Sequence, residues 1–430
     1  MVTGVVVTGI GVVAPNGLGV EDYWRATLAG RSGISRLTRF DPGGHRASLA
    51  GQVGGFDAEA RLPGRLLPQT DVSTRFALVA AELALADSGV DVASTCEYDL
   101  GVITSNALGG FEFTHREFRK LWTEGPASVS VYESFAWFYA VNTGQISIRH
   151  GLRGPGRVLV GEQAGGLDAI GTARRAVRRG TPVVVTGGVD SALDPWGWAA
   201  QLAGGRVSGS DDPGRAYLPF DVAASGYVPG EGGAILVLED AGAAAARGAT
   251  AYGEVAGYAA TFDPAPGSDR ERALRRAVER VLPDAGTAPV EVDVVFADAV
   301  ALPGPDAAEA AAIRAVFGER GVPVTAPKAL TGRLYAGGGP LDTAAALLSI
   351  RDGVVPAVPA GVEVPPDYGI DLVVGAPRRE PVSCALVLAR GKGGFNAAVV
   401  VRRAAGRTRV GARVGNGAET RAEARVEEER

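Results

Sequence analysis

The residues best placed to do chemistry lie in the run Val160-Gly161-Glu162-Gln163-Ala164-Gly165-Gly166-Leu167-Asp168-Ala169. An apolar strand end, a polar residue and then small residues opening a helix form the strand-elbow-helix layout that exposes a nucleophile. The free N–H groups and the dipole of that helix are poised to stabilise anionic charge. The position that would hold Cys or Ser holds Gln163. An amide forms no thioester, so the elbow lacks a covalent nucleophile, although its N–H donors could hold a carbonyl or carboxylate.

A second pattern, Gly9-Ile10-Gly11-Val12-Val13-Ala14, matches a dinucleotide fingerprint on paper. That fingerprint requires the glycine turn to open directly into a helix, with an acidic residue some twenty positions on. Here Pro15-Asn16-Gly17 follows and makes another turn. We read a tight strand-to-loop turn and keep a nucleotide-dependent enzyme as a distant alternative.

Histidine and cysteine are scarce. His45, His115 and His150 all lie in the first half, and the two cysteines are Cys96 and Cys384. Neither cysteine follows an elbow, so both are expected to be packing residues. Two cysteines staple no chain of this size and show no paired metal-ligand spacing, so no metal is expected, and a reducing, cytoplasmic setting is. A basic leader and a long apolar run are both missing, so neither signal peptide nor membrane span is expected. The net charge of −5 argues against a nucleic-acid partner.

The elements that must position these residues alternate. Short β-branched runs at Val5–Val7, 100–104, 157–160, 183–186 and 234–238 are separated by helical patterns, the layout of an α/β fold. The clearest helix covers 71–88, with Gly89 where a C-terminal cap belongs. After Tyr252 the rhythm repeats: helices near 269–282, 306–317 and 340–352, with strands at 292–297, 322–325, 372–374, 385–388 and 397–401. With 430 residues, 46% of them hydrophobic, the chain can bury two intimately packed halves. We place them at 1–240 and 241–402. The tail 403–430, seven Arg and five Glu without an aromatic, is expected to be disordered. Gly337-Gly338-Gly339 is read as a flexible turn into a helix headed by Pro340. Arg174, Arg175, Arg178 and Arg179 are read as a solvated helix end that could also meet an acidic partner.

Of 13 Phe, 10 Tyr and 5 Trp, nine fall between Phe111 and Tyr139. Such crowding marks a core or an interface. Phe111, Thr114 and Phe118 share one helical stripe, with Glu112 and Arg116 off it at ion-pair spacing.

Taken together, the elbow run, Val5-Val6-Val7-Thr8-Gly9-Ile10-Gly11, Pro219-Phe220-Asp221, Gly230-Glu231-Gly232-Gly233 and Gly393-Gly394-Phe395-Asn396 resemble the β-ketoacyl synthase family. Within it they resemble the chain-length factors, the ketosynthase β subunits of type II aromatic polyketide synthases, from about Val5 to Val401. The resemblance implies a thiolase-like fold in which two duplicated α/β halves stack a five-layer α-β-α-β-α sandwich. Condensing members use Cys, two His and a Lys. Laid onto this sequence, the cysteine is Gln163, the histidines are Asp298 and Arg333, and the lysine survives as Lys328.

The resemblance further implies a heterodimer with a catalytic ketosynthase α subunit, whose cysteine carries the growing chain. Substrates would arrive on the phosphopantetheine of an acyl carrier protein, with no cofactor of the chain's own. Phe111, Thr114, Phe118 and Trp196 would wall the tunnel into which the polyketone grows. Close packing makes bulky walls short tunnels, here roughly sixteen to twenty backbone carbons. Related loading ketosynthases with Gln at the cysteine position are decarboxylases, so malonyl decarboxylation through Gln163 is the enzymatic alternative. Asp298 and Arg333 weigh against it, because an ion pair would fill a retired pocket.

Overall fold

The structure is a computed structural model that describes residues 4–265 and 273–406. The principal strands of the first half are β1 (Val5–Ala14), β2 (Leu100–Ser105), β3 (Gly156–Leu159), β4 (Val183–Asp190) and β5 (Gly232–Asp240). Those of the second are β6 (Gly253–Phe262), β7 (Val294–Phe296), β8 (Pro323–Thr325), β9 (Cys384–Arg390) and β10 (Phe395–Arg402). The helices that matter here are α1 (Val72–Ser88), α2 (Phe111–Glu124), α3 (Gly165–Arg178), α4 (Pro195–Ala203), α5 (Leu274–Ala285), α6 (Pro303–Phe317) and α7 (Gly338–Asp352).

The strand order β1-β5-β4-β2-β3 recurs as β6-β10-β9-β7-β8. Directions recur too: antiparallel β1·β5 and β4·β5 with parallel β2·β4 and β2·β3, then antiparallel β6·β10 and β9·β10 with parallel β7·β9 and β7·β8. The two sheets pair edge to edge where Val6 faces Glu254 and Val7 faces Gly253. Helix α1 covers one outer face and α5 the other, while α3 and α7 lie between the sheets and contact both. The five layers follow directly. Every residue of α7 from Gly338 to Ile350 is buried, as a helix with protein on all sides requires. Its Leu341, Leu347 and Leu348 share the central core with Leu167 and Ile170 of α3.

Several local expectations change. Gly9 and Gly11 make no turn: β1 runs on to Ala14, and an added Cβ would lie 2.1 Å from Ala84 O at Gly9 and 1.9 Å from Ala80 O at Gly11. Their role is to let α1 lie close on the strand. Gly338 and Gly339 belong to the first turn of α7, ahead of Pro340, rather than to a loop before it. Helix α5 begins at Leu274; the first residues expected in it lie outside the described ones. Arg174 is not on a solvated face, since its guanidinium donates to Asp284 at 2.7 Å and to the carbonyl of Ala256. Cys96 is exposed at a short helical turn, while Cys384 is buried in β9. The start of the expected tail is ordered: Arg403 N donates to Ser383 O at 2.7 Å and Ala404 is buried. Residues 407–430 lie outside the described ones.

Candidate active site

The elbow sits where β3 hands over to α3. Glu162 takes a left-handed conformation at φ 51°, which turns the chain sharply and sends Gln163 inward. Gln163 is 0% exposed, and neither its Oε1 nor its Nε2 has a hydrogen-bond partner among the described residues. Glycines let the neighbours crowd in. A Cβ would lie 2.5 Å from Ser105 Oγ at Gly165, 2.2 Å from Ala336 O at Gly166 and 2.1 Å from Gln163 Nε2 at Gly338. The start of α7 is therefore packed against the elbow, with the amide filling the place of a missing side chain.

Asp298, just past β7, and Arg333 form a buried ion pair, Nη1 to Oδ2 at 3.2 Å. Asp298 Oδ1 also accepts from Arg390 N at 2.9 Å, and Arg333 Nη2 donates to Arg390 O at 2.5 Å. Burial opposes the Arg333 charge, but Asp298 and then Glu162 outweigh it and hold the guanidinium above its ordinary range. Glu309 receives the backbone N–H groups of Asp298 and Ala299 at 2.7 and 2.9 Å, and burial followed by the Asp298 charge pushes its carboxyl up. Lys328 pairs with Asp342 at 2.7 Å and donates to Ala297 O. Burial raises the Asp342 carboxyl in spite of that lysine. Asp298, Arg333, Glu309, Lys328 and Asp342 are thus each engaged by another protein group.

Glu162 is the residue that sequence reasoning passed over. Its Oε2 accepts from Gln163 N and Lys392 N, both at 2.9 Å, and stands 3.9 Å from Arg333 Nη2. It also lines a cavity of about 500 Å³ with Phe111, Gln201, Tyr227, Tyr335 and Lys392. Gln163 does not line this cavity.

Helix α2 and the first turn of α4 bound the far side. Phe111 and Phe118 both stack on Trp196, with ring centroids 5.1 and 5.7 Å apart, and Phe118 and Trp196 are 41% and 43% exposed. Thr114 does not share that wall; it is buried on the inner flank of α2 with Phe113 and Glu117. Glu112 pairs with Arg39 at 3.5 Å rather than with Arg116, which instead meets Glu117 at 3.2 Å. A partner nearer in space outcompetes the partner one turn along the helix.

Residues 3–244 match the β-ketoacyl synthase N-terminal domain and residues 252–360 its C-terminal domain. The chain belongs to the β-ketoacyl synthase family. It is 65% identical, over 93% of its length and 98% of the relative's, to the protein named as the second β-ketoacyl synthase of actinorhodin polyketide synthesis in Streptomyces coelicolor. The ketoacyl synthase β subunit of the tetracenomycin polyketide synthase from Streptomyces glaucescens is 58% identical over 93% of the chain and 98% of that protein. Among solved structures, the ishigamide ketosynthase/chain length factor superposes with a TM-score of 0.87 at 26% identity, covering 94% of this chain and all of that one. A type II polyketide ketosynthase solved with its acyl-carrier protein gives 0.84 at 26% identity, with the same coverage. The thiolase-like fold of these synthases is the one described above.

Among the described residues, no helix is long and apolar enough to cross a membrane. At the elbow of this family member Gln163 stands in place of a cysteine.

Proposed function

We propose that this chain is the non-condensing, chain-length-setting subunit of a type II polyketide ketosynthase, paired with a condensing α subunit. The observation that carries this reading is Gln163, a fully buried amide at the elbow where a condensing enzyme needs a thiolate. Claisen condensation requires a sulfur to hold the acyl chain and free donors for the enolate of a decarboxylating malonyl thioester. Here the amide is shut against Gly338, and Asp298, Arg333 and Lys328 are engaged with one another or with their neighbours. The partner subunit must supply the thiolate, and the acyl carrier protein must deliver malonyl units on its phosphopantetheine arm.

The chain's own contribution is steric. Phe111 belongs both to the cavity at Glu162 and to the aromatic cluster around Trp196, so its ring limits how far an extending chain can run. The test is reconstitution with the condensing subunit, carrier protein and malonyl donor, reading product length by mass spectrometry. Phe111→Ala with Phe118→Ala lengthens the polyketone by whole malonyl units; an unchanged distribution defeats the reading.

One observation favours a second reading. The two partnerless amide atoms of Gln163 could engage a malonyl carbonyl and promote decarboxylation for priming. Loss of acetyl-carrier formation in Gln163→Ala supports that role, whereas retained priming with normal product length leaves Gln163 a plug.

A further inference from the structure

His115 and Asp194 join the two elements that carry the aromatic cluster. His115 lies one turn after Phe111 and one turn before Phe118 on α2, so all three side chains leave the same side of the helix. Its Nδ1 is 3.1 Å from Asp194 Oδ1. Asp194 is the N-cap of α4, and the same oxygen accepts the backbone N–H groups of Trp196 at 3.0 Å and Gly197 at 3.2 Å. The imidazole approaches the carboxylate at ion-pair distance. One oxygen thus stands between His115 on α2 and the second and third residues of α4, Trp196 and Gly197. The Asp194 side chain is 4% exposed and the His115 side chain 33%.

Position follows from that link. Trp196 stands between two rings on α2, 5.1 Å from Phe111 and 5.7 Å from Phe118. Those stacking contacts are directional but weak, about 0.5–1.5 kcal/mol each beyond the area they bury. Trp196 is moreover 43% exposed, so little packing holds its outer side. Two cavities lie near these elements: one of about 500 Å³ is lined by Phe111 and Gly197, and one of about 580 Å³ by His115, Asp194 and Pro195. A ring as exposed as that of Trp196 keeps its place only if something besides close packing fixes it.

We infer that the His115–Asp194 pair is a positioning device that holds Trp196 against Phe111 and Phe118 and thereby sets the reach of the tunnel. The inference rests on the chain-length reading and adds to it two residues that never touch the growing chain.

The test uses the full chain assembled with its condensing subunit, malonyl-loaded carrier protein as substrate, and the ratio of longer to native-length product as readout. His115→Leu puts an apolar side chain of similar size in place of the imidazole and removes its contact with Asp194, and it raises that ratio at least tenfold. His115→Asn, whose amide N–H occupies the place of Nδ1, returns the ratio to within twofold of the wild type. Asp194→Ser keeps a capping oxygen for α4 but is too short to reach the imidazole, so it lengthens the product as His115→Leu does, even if the leucine variant fails to assemble. In a Trp196→Ala background, His115→Leu adds nothing further, a masking that a general loss of stability would not produce. Native-length product from His115→Leu or Asp194→Ser, beside lengthened product from Phe111→Ala, overturns the inference alone. Native-length product from Phe111→Ala overturns the chain-length reading and this inference with it.

Discussion

Gln163 and Gly338 meet side chain against backbone: a Cβ on Gly338 would lie 2.1 Å from Gln163 Nε2 and 2.8 Å from its Cδ. The amide at the elbow and the glycine in the first turn of α7 occupy one space between them. A glycine-rich helix start that costs backbone entropy is retained because the elbow residue is already there.

Gly338 has φ −67°, a helical conformation open to any residue, so alanine there should gain about 0.5–1 kcal/mol from reduced unfolded-state freedom. Against Gln163 the overpacking costs more. Gly338→Ala is expected to lower the unfolding free energy by about 1–3 kcal/mol in denaturant titrations. In a Gln163→Ala background the same substitution becomes stabilising. Equal effects in the two backgrounds would show that the two residues do not share this space.

Arg333 is expected to matter for stability more than for chemistry. Both members of its pair with Asp298 are 2% exposed in their side chains. Removing one charge from a buried pair costs about 3–5 kcal/mol, because the other is left uncompensated. Arg333→Met should show a loss of that size. Adding Asp298→Asn, which keeps an acceptor for Arg390 N, should recover at least about 2 kcal/mol, since the stranded charge is gone. The measurement is a double-mutant cycle of unfolding free energies, and additive effects would exclude a functioning ion pair.

Asp168, on the first turns of α3, accepts from Tyr258 Oη at 2.8 Å. Burial pushes its carboxyl up to about 6, with the tyrosine bond pulling it partly back. The folded protein therefore binds this proton more tightly than the unfolded chain, whose carboxyl titrates near 4. The extra stability is complete below about pH 4 and is lost as pH rises through about 6, a change on the order of 3 kcal/mol. Asp168→Asn keeps an acceptor for Tyr258 and removes the titration. Unfolding free energies measured from pH 4 to 7.5 should fall less steeply for this variant than for the wild type. Parallel profiles would mean that Asp168 does not carry the proton.

The three positions on α2 should differ in their effect on product length. Phe111 lines the cavity and stacks on Trp196, Phe118 only stacks, and Thr114 faces the protein interior. Single alanine variants in the reconstituted heterodimer are expected to lengthen the polyketone in the order Phe111, then Phe118, with Thr114→Ala unchanged. Lengthening by Thr114→Ala would place the tunnel on the wrong side of the helix.

Much of this was readable along the chain. Gly89 does cap the C-terminus of α1, because a cap involves residues that are neighbours in sequence. The alternation of strands and helices, and its repetition after Tyr252, reflect periodicities of the local backbone. Gln163 declared the missing nucleophile without any coordinates, since residue identity alone decides whether a thioester can form. The pairing of His115 with Asp194, of Glu112 with Arg39 and of Lys328 with Asp342 was settled only by the tertiary structure. So were the glycines at 9, 11 and 338, which look like turns in sequence and prove to be close approaches between layers. The reason is geometric: caps and periodicity act within a few residues, whereas a side chain's partner and the room around it depend on which distant segments the sheet order brings together.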